Sequence, residues 1–247
     1  MNTTHPTPGL AAPAGAAQGP TRRVVDAPTR MFHWLFALCF TLAYATADGE
    51  RWRLVHVTLG YTLAGLLAFR LGYGLIGPRQ ARLSLLWRKL AGLPAWMRSL
   101  QPGNGVDVNW RQGQNLLMAL AVAALMAVVL PVAISGYATY NDWGGEWLAE
   151  LHEFTGELFL WLVLGHLALI LGLSLMRRKN QALPMLVGRV QGAGPDLAKH
   201  NHGALAALLL AAVLGFWAWQ WQQAPAGPLN GNTPAATRAG PNHGDDD

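Results

Sequence analysis

The sequence predicts an all-α integral membrane protein, built as a four-helix transmembrane bundle with a fifth, C-terminal transmembrane helix. The first observation behind this prediction is the composition, which is 52% hydrophobic and only 13% charged. The second is a series of five apolar runs of about the length that crosses a bilayer. The third is the placement of basic residues beside these runs, which favours a membrane over nucleic acid as the partner of a chain with a net charge of +5.

The N-terminal part of the chain predicts a tail followed by a helical hairpin. Residues 1–21 are rich in Ala, Pro, Gly and Thr and predict a disordered tail. The first span covers about 31–47, and a short polar turn leads to the second span at 54–76. Gly77 and Pro78 end the second span, because proline cannot continue a helix without losing a backbone hydrogen bond.

A long basic connection follows at residues 78–113. Its middle, about 83–100, is basic and amphipathic. We interpret this segment as a helix that lies on an anionic membrane leaflet. A docking surface for a protein partner is the second interpretation.

The C-terminal half predicts three more spans. The third covers about 116–137, where Pro131 and Gly136 are candidates for a kink, and the fourth covers about 151–176. The fifth covers about 202–221. We therefore divide the chain into a cytoplasmic tail at 1–21, a four-helix core at 22–179, a connection with the fifth helix at 180–222, and a disordered periplasmic tail at 223–247.

The distribution of charge predicts the orientation in a bacterial inner membrane. The N-terminal segment and the second and fourth loops are basic, whereas the first and third loops carry acidic residues. Because cytoplasmic loops are enriched in Lys and Arg, the N-terminus is expected in the cytoplasm and the C-terminus in the periplasm.

Four histidines lie inside the predicted spans. His152 and His166 are fourteen residues apart, which places them on one helix face and about 21 Å apart along the axis. His33 lies near the cytoplasmic end of the first span and His56 near the outer end of the second. Depth therefore groups them into an outer pair, His56 with His152, and an inner pair, His33 with His166. Ionisable residues at such positions are costly and indicate function.

Two imidazoles that face each other in an apolar bundle are typical of the axial ligands of haem. A zinc site gathers four ligands at one point, whereas these histidines are divided between two depths. Gly60 and Gly156 each follow a histidine by four residues and would make room for a macrocycle. Ordinary close helix packing is the alternative for both glycines.

Arginines near the two levels are candidate partners of haem propionates. Arg70 lies fourteen residues after His56, at the depth of the inner pair, and Arg51 and Arg53 lie at the outer level. Snorkelling to the membrane surface is the alternative. His200 and His202 would point to different faces of a helix and are interpreted as interfacial residues, with a quinone or proton role as the second interpretation.

These residues resemble the bacterial cytochrome b561 family, which includes the b-type cytochrome subunits of nickel–iron hydrogenases. The features that match are His33-Trp34, the segment from His56 to Gly60 together with Arg70, and His152-Glu153 with His166. The resemblance covers about residues 22–178 and leaves the fifth span outside the family core.

The resemblance implies two haem b groups, held by the two histidine pairs, in a protein that exchanges electrons with quinone. The partner would be a periplasmic c-type cytochrome or a dehydrogenase or hydrogenase subunit, and the chain itself an electron-transfer protein or the cytochrome b subunit of an oxidoreductase. Three alternatives stay open. They are a stand-alone quinone-linked superoxide oxidase, a non-haem proton or metal transporter that uses the histidines, and a passive anchor for an enzyme subunit.

Overall fold

The protein, described by a computed structural model over residues 19–101 and 107–223, consists mainly of long helices. The long helices are α1 (Ala27–Ala45), α2 (Arg53–Ile76), α5 (Trp110–Tyr140), α6 (Glu146–Arg177) and α8 (Gly203–Gln223). The short elements are strand β1 (Thr21–Arg23), helices α3 (Leu83–Leu90), α4 (Leu93–Ser99) and α7 (Leu183–Val187), and strand β2 (Arg189–Gln191), together with 3-10 turns at Glu50–Trp52 and Arg79–Ala81. Every predicted span therefore coincides with a helix.

Within the described residues, four helical segments are long and apolar enough to cross a membrane, which supports a multi-pass membrane protein. They are Glu50–Ile76, Trp110–Tyr140, Glu146–Arg177 and Gly203–Gln223. Helix α1 is not among them, because Arg30 and His33 lower the hydropathy of its first half. Its 19 residues give a length of about 28 Å, close to the thickness of a bilayer core. A membrane-spanning role for α1 stays a prediction.

A buried carboxylate fixes the start of α1. Asp26 is the N-cap residue, and its Oδ1 accepts a hydrogen bond of 3.2 Å from the backbone N–H of Thr29. Tyr73, near the end of α2, donates from its hydroxyl to Asp26 Oδ2 at 2.6 Å. Asp26 is only 1% exposed, so these two bonds supply the partners that a buried carboxylate requires. The contact joins the ends of α1 and α2.

A tight turn makes α5 and α6 antiparallel neighbours. Gly144 and Gly145 have φ angles of +74° and +81°, which glycine adopts at little steric cost. Helix α5 continues past Pro131 and Gly136 as far as Tyr140. The two helices then pack along each other, which brings His152 of α6 beside α5.

The core lies where α1, α2, α5, α6 and α8 meet. Phe159 of α6 is 1% exposed, and its ring centroid lies 4.3 Å from that of Phe40 in α1. Helix α8 docks on this core through Trp217, whose indole N–H donates to Thr62 of α2 at 2.9 Å. The C-terminal helix is therefore part of the same packed bundle.

The structure adds a small sheet that the all-α prediction did not include. Strands β1 and β2 pair antiparallel with Thr21 opposite Gln191, and Thr21 is thus wrongly placed in the predicted disordered tail. The backbone N–H of Ala27 donates to the carbonyl of Asn201, which holds the starts of α1 and α8 together. Gln223 ends α8 and does not begin the C-terminal tail. The rest of both predicted tails lies outside the described residues.

The amphipathic segment at 83–100 forms two helices, α3 and α4, where the sequence predicted one. The break falls at Ala91 and Gly92, and Pro94 lies in the first turn of α4. Proline is tolerated in a first turn, where its missing N–H has no helical partner.

Candidate functional site

His56 of α2 and His152 of α6 face each other inside the bundle. Their ring centroids are 6.0 Å apart, and the ring planes are nearly perpendicular at 88°. A metal–imidazole bond is about 2 Å long and a ring nitrogen lies about 1 Å from the ring centre, so two axial imidazoles on one metal have centres about 6 Å apart. The centroid separation of the outer pair is therefore compatible with one metal ion held by both rings.

Hydrogen bonds fix the tautomer of both rings. His56 Nδ1 lies 2.8 Å from the carbonyl oxygen of Ala43, and His152 Nδ1 lies 3.0 Å from that of Val132. Because a carbonyl only accepts, each Nδ1 is the nitrogen that donates a proton, and Nε2 is the nitrogen left to bind a metal. Histidines that bind a metal through one ring nitrogen typically donate a hydrogen bond from the other, as these two rings do.

The carbonyl groups that orient the outer pair come from two different helices. Ala43 lies in the last turn of α1, where carbonyl groups lack a full set of helical partners. Val132 lies in α5 next to Ser135, whose hydroxyl is a further 3.4 Å contact of His152 Nδ1. Three helices besides α6 therefore contribute to the surroundings of the pair.

A cavity of about 480 Å³ adjoins both rings and lies within the range of cofactor pockets. Gly60 and Gly156 line it, and a Cβ atom at either residue would meet no atom within 4 Å. Gly136 also lines it, but a Cβ there would lie 2.7 Å from Cε1 of His152. The first two glycines leave room beside the rings, and Gly136 lets the His152 ring approach α5. These features fit a flat macrocycle such as haem, which His56 and His152 would hold.

The predicted arginines lie in three different settings. Arg53 lines the cavity, and its guanidinium lies 5.6 Å from the ring centre of Tyr140. The Arg51 guanidinium lies over the ring of Trp52, also at 5.6 Å. Arg70 donates to the carbonyl of Ala81 at 3.0 Å. The structure therefore brings Arg53, among these three, to the cavity of the outer pair.

His33 of α1 and His166 of α6 make up the predicted inner pair, and both side chains are partly buried. The Nδ1 atoms of both rings are buried without a hydrogen-bond partner in the described part of the chain. The His33 ring packs against the ring of Trp34 nearly at a right angle, with centroids 5.2 Å apart. Buried polar atoms without a partner are uncommon, so these two nitrogens fit a site that a bound group completes.

An aromatic layer separates the two pairs. Phe159 is seven residues from His152 and seven from His166, so it lies on the same face of α6 at an intermediate depth. Its ring packs against Phe40 and Phe36 of α1, with centroid distances of 4.3 and 6.0 Å. The bundle thus holds two distinct polar levels with an apolar layer between them.

The other histidines lie elsewhere. His200 and His202 are exposed, and their ring centroids are 5.9 Å apart. The prediction that these rings point to different helix faces is wrong, because α8 begins only at Gly203 and His202 has a φ of +49°. His5 and His243 lie outside the described residues. Over 19–101 and 107–223, no group of three or more His, Cys, Asp or Glu could hold a metal ion.

Comparison with known proteins identifies the family. Residues 24–188 match the family described as prokaryotic cytochrome b561. The chain belongs to this family. The matched range contains all four intramembrane histidines and confirms the resemblance found in the sequence. Membership in the cytochrome b561 family implies a b-type haem and electron transfer in a membrane.

Two curated relatives are similar to the chain. It is 22% identical over 166 residues to the probable Ni/Fe-hydrogenase 1 B-type cytochrome subunit of Escherichia coli strain K12, a match that covers 56% of this chain and 68% of the relative. The counterpart in Escherichia coli O157:H7 matches equally. No solved structure matches at a comparable level of significance. Helix α8 lies beyond the region that matches the cytochrome b561 family.

Sequence reasoning missed the residues that orient the rings. Ser135 and the carbonyl groups of Ala43 and Val132 have no sequence signal, because every residue carries a carbonyl. Gly136 was noted as a candidate kink and not as a contact of His152. Phe159 did have a signal, since it lies midway between two histidines at heptad spacing.

Proposed function

We propose that this protein is a di-haem cytochrome b of the bacterial inner membrane that transfers electrons between the quinone pool and a redox partner. The observation that carries the proposal is the outer pair, whose ring centroids are 6.0 Å apart while both Nδ1 atoms contact backbone carbonyl groups. In a member of the cytochrome b561 family, such a pair is best explained as the axial ligands of one haem b.

Each proposed ligand set combines two helices. His56 and His152 hold the outer haem iron, and His33 and His166 hold the inner haem iron. Haem b, when bound, supplies a one-electron carrier whose potential depends on its axial ligands, nearby hydrogen bonds and burial. The carbonyl groups of Ala43 and Val132 hold the outer imidazoles in one orientation and raise the basicity of their Nε2 atoms.

The remaining predicted residues support the edges of these sites. Gly60 and Gly156 leave space for the macrocycle of the outer haem. Arg53, with Arg51 as a second candidate, pairs with the outer propionates, and Arg70 pairs with the inner ones. Support for this part is strongest at Arg53, which lines the cavity of the outer pair.

The proposed orientation places the N-terminus in the cytoplasm and the outer pair towards the periplasm. It is supported by the acidic turn residues at 48–50 and 142–150 and by the basic residues at the opposite helix ends. The partner is an oxidoreductase subunit or a periplasmic c-type cytochrome. The name of the similar Escherichia coli protein, a probable hydrogenase cytochrome subunit, supports the first of these.

The test is electron transfer across a vesicle membrane by the purified protein. Vesicles that contain ferricyanide receive the protein and then external ubiquinol or menaquinol, and ferricyanide reduction is followed by absorbance. We expect reduction with wild type and with His202→Ala, and none with His152→Ala. Ferricyanide reduction that is no faster in vesicles with the wild-type protein than in protein-free vesicles would contradict the proposal.

A second assay addresses the stand-alone enzyme. Purified wild-type protein is mixed with superoxide and quinone without any partner, and superoxide decay is recorded. Decay no faster than in the same mixture of superoxide and quinone without protein is the result that the carrier proposal predicts. Rapid decay that His152→Ala abolishes would instead make the chain a superoxide oxidase.

A further inference from the structure

A second pocket, remote from the histidines, lies between the short helices α3 and α4 and the start of α5. Its volume is about 410 Å³. Cationic and amide side chains dominate its lining, namely Arg88, Lys89, Asn109, Arg111, Gln112 and Asn115. These six residues are exposed, and among the residues that the structure describes no acidic one lines the pocket. We propose that this pocket binds the headgroup of an anionic phospholipid.

Contacts between α4 and α5 give the pocket a fixed floor. The indole of Trp96 packs directly against Gly113, where any Cβ atom would overlap its ring, and its N–H donates to the carbonyl of Asn109 at 3.2 Å. The Asn109 side chain in turn accepts from the backbone N–H of Gln112 at 3.0 Å. Because these residues hold one another, the pocket is ready to receive a ligand without reorganising α5.

Arg177 at the end of α6 orders the far side of the pocket. Its guanidinium donates to Asn115 Oδ1 at 3.1 Å and to Gln114 Oε1 at 2.8 and 2.9 Å. Asn115 Oδ1 is thereby engaged, and the amide NH₂ group of the same residue stays available as a donor. The pocket therefore offers three cations and several N–H donors, which is the chemistry that recognises a phosphodiester.

Large apolar side chains beside the cations favour a lipid over a soluble anion. Trp87 is 74% exposed and adjoins Arg88, and Trp110 is 66% exposed and adjoins Arg111. Tryptophan is enriched at the boundary between headgroups and acyl chains. A free phosphate would engage only the cations, whereas a phospholipid belongs to a membrane interface that also accommodates exposed tryptophans. The pocket also lies at the N-terminal end of α5, which is long and apolar enough to span the membrane.

The sign of the charge determines the class of lipid. Three cations attract a headgroup with net negative charge, such as phosphatidylglycerol, and gain little from the zwitterionic phosphatidylcholine. The inference rests on α5 as a membrane span and not on the haem sites, so either proposal can fail without the other.

The experiment counts lipids bound to the purified full chain by native mass spectrometry in a neutral detergent. Phosphatidylglycerol and phosphatidylcholine are titrated separately. The test variant is Arg88→Gln/Lys89→Gln/Arg111→Gln, and a control with the same loss of charge outside the pocket is Arg79→Gln/Lys179→Gln/Lys199→Gln. We expect at least tenfold weaker retention of phosphatidylglycerol by the test variant, wild-type retention by the control, and no specific retention of phosphatidylcholine.

Three results would overturn the proposal. Equal losses in the two triple variants would mean that bulk charge attracts the lipid. Equal retention of both lipids would mean that charge is not recognised. Displacement of phosphatidylglycerol by an equal concentration of inorganic phosphate would mean a site for soluble anions. Circular dichroism checks the fold, and if the triple test variant is misfolded, Arg88→Gln and Arg111→Gln singly must each weaken retention severalfold.

Discussion

The outer and inner histidine pairs each combine one histidine of α6 with one histidine of another helix, yet their surroundings differ. In the outer pair, each Nδ1 has a backbone carbonyl partner and the ring centroids are 6.0 Å apart. In the inner pair, both Nδ1 atoms are buried without a partner in the described residues. The protein therefore orients the rings of the outer pair, whereas the proposed inner pair would depend more on a bound group.

The largest expected effect is the loss of one haem while the other is retained. His152→Ala should remove the outer haem, and His166→Ala should remove the inner one, because each substitution deletes one of two axial ligands. Extracted haem per chain and reduced-minus-oxidised absorbance spectra would measure this, with His202→Ala as a control that keeps both. Full occupancy of both haems in His166→Ala would show that the pairing by depth is wrong.

A smaller but still large effect is expected from filling the cavity of the outer pair. Gly156→Leu places a side chain in space that the glycine leaves open, so the outer haem should fall severalfold in occupancy while the inner haem is retained. Gly172→Leu is the matched control, because it lies on the same helix away from the cavity and a Cβ there also meets no atom within 4 Å. Equal haem loss in both variants would point to general disruption of α6.

Displacing the His152 ring should reduce the haem affinity of the outer site less than filling its cavity does. Gly136→Ala puts a methyl group 2.7 Å from Cε1 of His152, so the ring must shift away from the Val132 carbonyl. Changes to such supporting contacts typically cost about 10- to 100-fold in metal affinity, and we expect the lower end of that range here. Haem titration of the apoprotein would measure the change, and Gly215→Ala in α8 should leave the affinity unaltered.

The smallest effect is expected at Ser135. Ser135→Ala removes the 3.4 Å contact to His152 Nδ1 but keeps the shorter bond to the Val132 carbonyl. One such contact contributes about 1 kcal/mol or less, so haem occupancy should be unchanged and the midpoint potential of the outer haem should shift slightly. Redox titration would reveal this shift. An equal shift in the potential of the inner haem would show that Ser135 does not act on the outer site alone.

The helices were predictable because long apolar runs carry a strong signal, but their ends were not. Helix α5 begins at Trp110, about two turns before the predicted start at 116, because Asn109 caps a polar first turn that hydropathy does not detect. The strands β1 and β2 are three residues long, too short to show a periodic pattern. Their pairing depends on the meeting of chain segments far apart in sequence.

The candidate site was predictable in part. Depth alone grouped His56 with His152, and the structure brings these two rings together. The carbonyl partners of the rings could not be predicted, because they depend on how α1 and α5 pack against α2 and α6. The prediction for the His200 and His202 rings was wrong because it assumed that both residues are helical. Helix α8 begins only at Gly203, after both of them.

The most direct test of the account is the number of haem groups bound to the purified wild-type chain. Haem is extracted with acidic organic solvent, quantified against protein, and identified from the reduced-minus-oxidised spectrum. The account predicts two non-covalent haem b groups per chain. A single haem would contradict the assignment of the four histidines as two ligand pairs, and no haem would contradict the proposed function itself.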